Sequence, residues 1–201
     1  MNANLHLGIV GAGAWGTALA CAAQRAGARV TLWAHEPETV DAINKTHANP
    51  VFLPGVALDP GIGATRDLPD LAACDALLLV APSSHLDLVC GNLAPHIGAS
   101  VPVCVCTKGI HLETGRLMTE LAAHALDRRA VCGLSGPSFA AEVAAGLPTA
   151  VTVAGTQGDV EAISQCLSGP MFRIYRSDDV VGIEIGGAVK NVIAIACGIA
   201  M

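Results

Sequence analysis

The chain has 201 residues, room for one good-sized domain or for one domain and part of a second. Hydrophobic residues make up 52% and charged residues 14%, which excludes a disordered chain; with 3% aromatic residues the core has to be aliphatic. The net charge of −6, without a basic stripe, argues against a nucleic-acid partner.

Leu5 to Val10 reads as a short strand, which also argues against a signal peptide at the N-terminus. It runs into Gly11-Ala12-Gly13-Ala14-Trp15-Gly16, a G-x-G-x-x-G run, and then into an alanine-rich helix from Thr17 to Ala26 that Gly27 stops. Arg29 to Ala34 is a second strand. Alone the glycine run is a weak signal, and a purely structural turn is the plainer alternative. Between a strand and a helix it is the dinucleotide fingerprint. Gly11 allows the tight turn, Gly13 lets a pyrophosphate approach the backbone, and Gly16 lets the helix sit close to the strand. The helix N-terminus adds free N–H groups and a positive dipole end.

For NAD, a ribose-binding acid is expected where the second strand ends. Ala34 stands there, His35 follows, and Glu36 comes two residues late. This tolerates a 2′-phosphate, so NADP and NAD both stay open. His35 reads equally well as a solvated loop histidine.

Strand-like and helical runs then alternate, which predicts an α/β fold: a Rossmann-like, doubly wound, mostly parallel sheet with helices on both faces. Glu38 to Thr46 reads as a helix and Asn49 to Gly55 as a loop. Ala76 to Val80 and Val101 to Cys106 read as strands. A helix is predicted over Glu113 to Ala125, a strand over Ala130 to Leu134, a strand over Thr149 to Val153, a helix near Val160 to Leu167 and a strand over Phe172 to Tyr175. Lys108 comes straight off a strand end, at the edge where open α/β sheets bind ligands, although a surface lysine reads the same. Ser135-Gly136-Pro137-Ser138 offers N–H groups and hydroxyls suited to an anion, or simply an N-cap for a helix from Ala140.

The eight cysteines contain no C-x-x-C pair. Cys104 and Cys106 alternate on one strand and are expected to face the same way. Most lie in apolar runs, so the set reads as a reduced, cytoplasmic core without a metal site.

Gly182 to Met201 is apolar apart from Glu184, Lys190 and Asn191. Its length suits a membrane span, but charges inside it argue against a transmembrane segment. Lys190 has no acid at i±3 or i±4, and only Asn191 beside it can hydrogen-bond. Burial on such a helix would make it a weaker base suited to proton transfer near neutral pH; a lysine that snorkels to solvent is the alternative.

Together these pieces resemble the NAD(P)-dependent glycerol-3-phosphate dehydrogenases of bacterial type. The resemblance rests on Gly11 to Ala20, Phe52-Leu-Pro54, Thr107-Lys-Gly109, Ser135-Gly-Pro-Ser138 and Gly186-Gly-Ala-Val-Lys-Asn-Val-Ile-Ala194, in one order along the chain. It implies reversible reduction of dihydroxyacetone phosphate to sn-glycerol 3-phosphate, feeding glycerophospholipid synthesis. It further implies that Ala14, Trp15, His35, Lys108, Ala140 and Lys190 contact the nucleotide, with Gly11, Gly13 and Gly16 forming its cradle. Lys108, Gly136, Ser138 and Lys190 would hold the substrate, and Lys190 would be the catalytic proton donor and acceptor. The family often has Ser in place of Ala14, so contact there comes from the backbone, and Tyr in place of Phe52. A homodimer is compatible with the resemblance.

The family also carries a second, helical domain. The expected division is therefore residues 1–180 as the NAD(P)-binding domain and 181–201 as the start of a helical substrate domain, in a truncated chain with little activity of its own. Two other readings stand beside this one. β-Hydroxyacid dehydrogenases use a similar Gly-Gly-x-x-Lys helix, but place an Asn four residues after the Lys, where this chain has Ala194. A dinucleotide-binding fragment without turnover is the other.

Overall fold

A computed structural model describes residues 5–128 and 130–200, and of Asn191 the backbone only. Asn191 as a side-chain partner of Lys190, and Met201 as part of the apolar run, lie outside the described residues. The first half contains β1 (His6–Val10), α1 (Ala14–Arg25), β2 (Arg29–Trp33), α2 (Pro37–Thr46), β3 (Ala48–Asn49), β4 (Leu53–Ala57), β5 (Ile62–Thr65), β6 (Ala76–Leu79) and α3 (Leu86–Leu93). The second contains β7 (Val103–Val105), α4 (Met118–Ala125), β8 (Cys132–Ser135), α5 (Ala140–Ala144), β9 (Thr149–Ala154), α6 (Gln157–Leu167), β10 (Phe172–Ser177) and α7 (Val180–Ile199).

Eight strands form one sheet in the order β10-β9-β8-β7-β6-β1-β2-β5. All neighbours are parallel except β8 and β9. The Rossmann-like, mostly parallel sheet read from the alternation is thus present. Central strands are apolar but for His6 because both faces are covered: β1 and β6 are buried at every position. Alternate residues feed two cores. Leu7, Ile9, Leu78, Cys104 and Cys106 join one, with α1 and α6. Val10, Leu77, Leu79, Val103 and Val105 join the other, with α3 and α4. Cys104 and Cys106 share a face, as their spacing predicts. The order reverses between β1 and β6, and open α/β sheets bind ligands beyond the strand ends at such a point.

The end of α1 follows from its glycine. Gly27 takes φ +94°, its N–H donates to Gln24 O at 2.9 Å, and that of Ala28 to Ala23 O at 3.0 Å, a Schellman stop.

Six elements differ from the sequence reading. Residues expected as a loop supply the antiparallel pair β3–β4, with Asn49 opposite Leu53. β5 and α3 were not anticipated; β5 is a four-residue edge strand containing a glycine. α4 begins at Met118, not at Glu113. Before it the chain turns on Gly115, whose φ is +67°, and the Thr114 hydroxyl lies 2.8 Å from His111 Nδ1. Glu120 then accepts the Leu117 N–H at 3.0 Å and starts the helix. Finally, α7 is mostly exposed, where burial on all sides was expected. By length and composition it could cross a membrane; here one line of it rests on β8 and the Ser135 loop.

Candidate active site

The turn from β1 to α1 forms around three glycines with three different constraints. Gly11 takes φ +118°, and a side chain there would press on the Val80 carbonyl carbon at 2.9 Å. A Cβ on Gly16 would overlap the Gly11 carbonyl oxygen. A Cβ on Gly13 meets no protein atom within 4 Å, because Gly13 faces a cleft of about 570 Å³. α1 carries no acid in its first turn, and no side chain caps its first N–H groups. This is the donor set an anion needs.

The same cleft is lined by Ala14, Trp15, Gly16, Lys108, Ser138 and Ala140, together with Thr107 and Phe139. Ser138 does not cap α5, whose N-cap is Phe139 and has no side-chain bond, so the hydroxyl is left to the cleft.

Lys108 joins this cleft to a second. Its Nζ donates to Gly136 O at 3.2 Å. Gly136 is closely packed, since a Cβ would lie 3.0 Å from both Ala150 O and Val151 Cα, and the β9 backbone would have to give way to it. The second cleft, about 350 Å³, is lined by Ser135, Gly136, Thr152, Gly186, Gly187 and Lys190, among others. Partial desolvation lowers the pKa of Lys108, and the Lys190 ammonium lowers it further. Two cations therefore face one loop. The Lys190 side chain is exposed, not buried as the apolar run suggests.

His35 lies outside both clefts. It is exposed at the end of β2, its ring 6.4 Å from that of Trp33. Ala34 beside it is buried, with its N–H bonded to Thr65 O at 3.0 Å, and no acid stands at the strand end.

One further residue supports the fingerprint. Asn49 is 1% exposed, and its Nδ2 donates to Ala12 O and to Thr17 Oγ1, both at 2.8 Å. It holds the glycine turn from 37 positions away. The sequence gives no sign of this beyond an asparagine next to a proline.

Residues 6–161 match the family model for the NAD-dependent glycerol-3-phosphate dehydrogenase N-terminus. The chain belongs to that family. Among glycerol-3-phosphate dehydrogenases (NAD(P)+), that of Caulobacter vibrioides is 55% identical over 194 residues, covering 96% of this chain and 59% of its own length. That of Paramagnetospirillum magneticum is 53% identical, covering 96% of this chain and 70% of its own. The crystal structure of glycerol-3-phosphate dehydrogenase from Coxiella burnetii superimposes with a TM-score of 0.90 at 37% identity, over 98% of this chain and 61% of that one. Against the first of these relatives, this member of the family spans 59% of the length.

Proposed function

We propose that this chain is the nucleotide-binding part of an NAD(P)H-dependent oxidoreductase that reduces dihydroxyacetone phosphate to sn-glycerol 3-phosphate in the cytoplasm, in the service of glycerophospholipid synthesis. The observation that carries the reading is the junction of the two clefts: an uncapped helix N-terminus beside Gly13, and Lys108 and Lys190 facing the Gly136 loop.

The cleft fits NADP or NAD. Gly13 leaves open space where a side chain would stand, and Ala14, Trp15 and Gly16 present the first-turn N–H groups of α1 to the pyrophosphate. Lys108 and Ala140, which line this cleft, would complete the nucleotide contacts, with Lys190 reaching from the second cleft and His35 from the end of β2. The bound nicotinamide supplies a hydride to the carbonyl carbon of the substrate.

Lys190 donates a proton to the forming alkoxide oxygen and takes it back in the reverse direction. The positive charge of Lys108 stabilises the same oxygen, and Gly136 and Ser138 hold the substrate. The eight cysteines are unpaired and seven of them are buried, which suits a reducing compartment. The proposed division into residues 1–180 and 181–201 would cut the chain in the first turn of α7. Ala194, in place of an Asn four residues after Lys190, favours this reaction over that of a β-hydroxyacid dehydrogenase.

The exposed Lys190 side chain favours one second reading, that this stretch of chain binds a dinucleotide without turnover. Steady-state kinetics of the complete gene product with dihydroxyacetone phosphate and NADPH separates the two. Lys190→Ala should lower kcat by roughly 10²–10⁴-fold, the usual contribution of a positioned acid–base group, and change NADPH affinity little, because Lys190 lines the second cleft and not the one beside Gly13. Wild-type turnover by Lys190→Ala would remove the lysine from the mechanism.

A further inference from the structure

α7 rests on the domain along one line. Gly187 lies over Ser135: a Cβ on Gly187 would stand 2.5 Å from Ser135 Oγ and 3.9 Å from Lys108 Cγ. One turn earlier, Ile183 and Glu184 lie over Gly133 of β8, where an added Cβ would be 3.2 Å from Ile183 Cδ1 and 3.7 Å from Glu184 Cγ. Such contacts hold a helix close but have no direction along its axis. The directional element is the Glu184 carboxylate. Its Oε1 accepts the Thr119 N–H at 3.1 Å, and its Oε2 accepts the Thr119 hydroxyl. Thr119 is the second residue of α4, so the carboxylate satisfies one of the free N–H groups at that helix start and sits at its positive dipole end. Among the described residues this is the one side-chain hydrogen-bonded tie from α7 to another element, and Glu184 makes no salt bridge. Burial pushes the Glu184 pKa up, against the lowering effect of the Thr119 bonds. An apolar residue would seat the helix without that desolvation; the carboxylate adds a setting along the axis.

We propose that Glu184 is a positioning residue, whose clamp on Thr119 fixes the axial setting of α7 and so the place of Lys190 opposite Lys108 and Gly136. The inference rests on the reading of Lys190 as the proton donor. Six residues of helix, about 9 Å, separate the two, so a slip at the clamp is carried to the lysine undiminished.

The test uses the complete gene product with dihydroxyacetone phosphate and NADPH. Glu184→Ala should lower kcat by about 10²-fold, the scale of an ångström-sized misplacement, with the Kd for NADPH unchanged. Glu184→Gln keeps an acceptor for the Thr119 amide and should restore most of that loss. Thr119→Val should lower kcat alone and add little on top of Glu184→Ala. Amide exchange through α7 should quicken in Glu184→Ala and stay slow in Glu184→Gln. Wild-type kcat in Glu184→Ala, no recovery with Gln, or losses that multiply in the double variant would each overturn the clamp. If Glu184→Ala loses NADPH binding through misfolding, Thr119→Val decides, and unchanged kcat there overturns it. If Lys190→Ala itself keeps full turnover, the lysine reading has failed, and amide exchange alone judges the clamp.

Discussion

Each glycine of the fingerprint meets a different obstacle, and the obstacles separate binding from folding. Gly13 has empty space where a side chain would go. Gly13→Val should therefore fold with unchanged thermal stability and lose nucleotide binding, because the valine would occupy the pyrophosphate's place. Gly16 instead lies against the Gly11 carbonyl oxygen, and Gly16→Ala should cost about 1–3 kcal/mol of stability, the range for overpacking a closed site. Urea unfolding with NADPH calorimetry on both variants checks this; tight binding by Gly13→Val would remove the cleft from the nucleotide reading. Both glycines were legible in the sequence, because a turn between strand and helix leaves few alternatives. Asn49 was not. Its importance arises from where Ala12 and Thr17 come to lie once β3 folds back, and no local pattern records that.

At the scale of elements, β1 and β2 are tied by a buried histidine. His6 is 7% exposed. Its Nδ1 lies 2.8 Å from Arg29 Nη2, and its Nε2 lies 2.8 Å from Thr31 Oγ1. A guanidinium only donates, so Nδ1 accepts and the proton sits on Nε2. The Cys74 thiol at 3.7 Å and Asp75, which accepts the His6 backbone N–H at 2.8 Å, complete the surroundings. Burial lowers the His6 pKa from 6.5, and the Arg29 charge lowers it further, against the Ala73 carbonyl and Asp75. The unfolded chain then binds a proton that the fold does not. Stability is full above pH 6.5 and falls as the pH drops below it, by at most about 1.4 kcal/mol per pH unit for one proton. Urea unfolding between pH 7.5 and 5 should show this slope, and His6→Gln should flatten it; an identical slope in the variant would exclude His6 as its source. The strands His6 joins were readable from sequence as apolar runs. β5 and α3 were not, the first because a short edge strand with a glycine has little pattern, the second because eight residues after a proline turn carry barely two turns of helical period. The start of α4 was read five residues early because Gly115 and Thr114 break a run that composition alone favours as helix.

At the scale of the whole molecule, the apolar character of α7 is what sequence and structure interpret differently. The sequence demands burial all round; the structure seats one line of the helix and leaves the rest in solvent. Val192 is 65% exposed, Ile193 58%, Ile195 64% and Ile199 82%. Apolar surface gathered on one helix end, on a chain of net charge −6, drives association rather than wholesale precipitation. The 201-residue chain should therefore self-associate with rising concentration in sedimentation velocity. Ile195→Glu and Ile199→Lys together should shift it toward monomer with NADPH binding intact, since neither residue lines either cleft. Lipid is the other apolar partner available to a helix of this length, but Glu184 is held by Thr119 and Gly187 by Ser135, and both would have to leave the domain for α7 to enter a bilayer. Flotation with vesicles of neutral lipid should leave the chain in the aqueous fraction. Co-flotation abolished by the two charged substitutions would mean that α7 leaves its seat on β8 for lipid, and a concentration-independent monomer would mean that its apolar face folds back on the domain in solution.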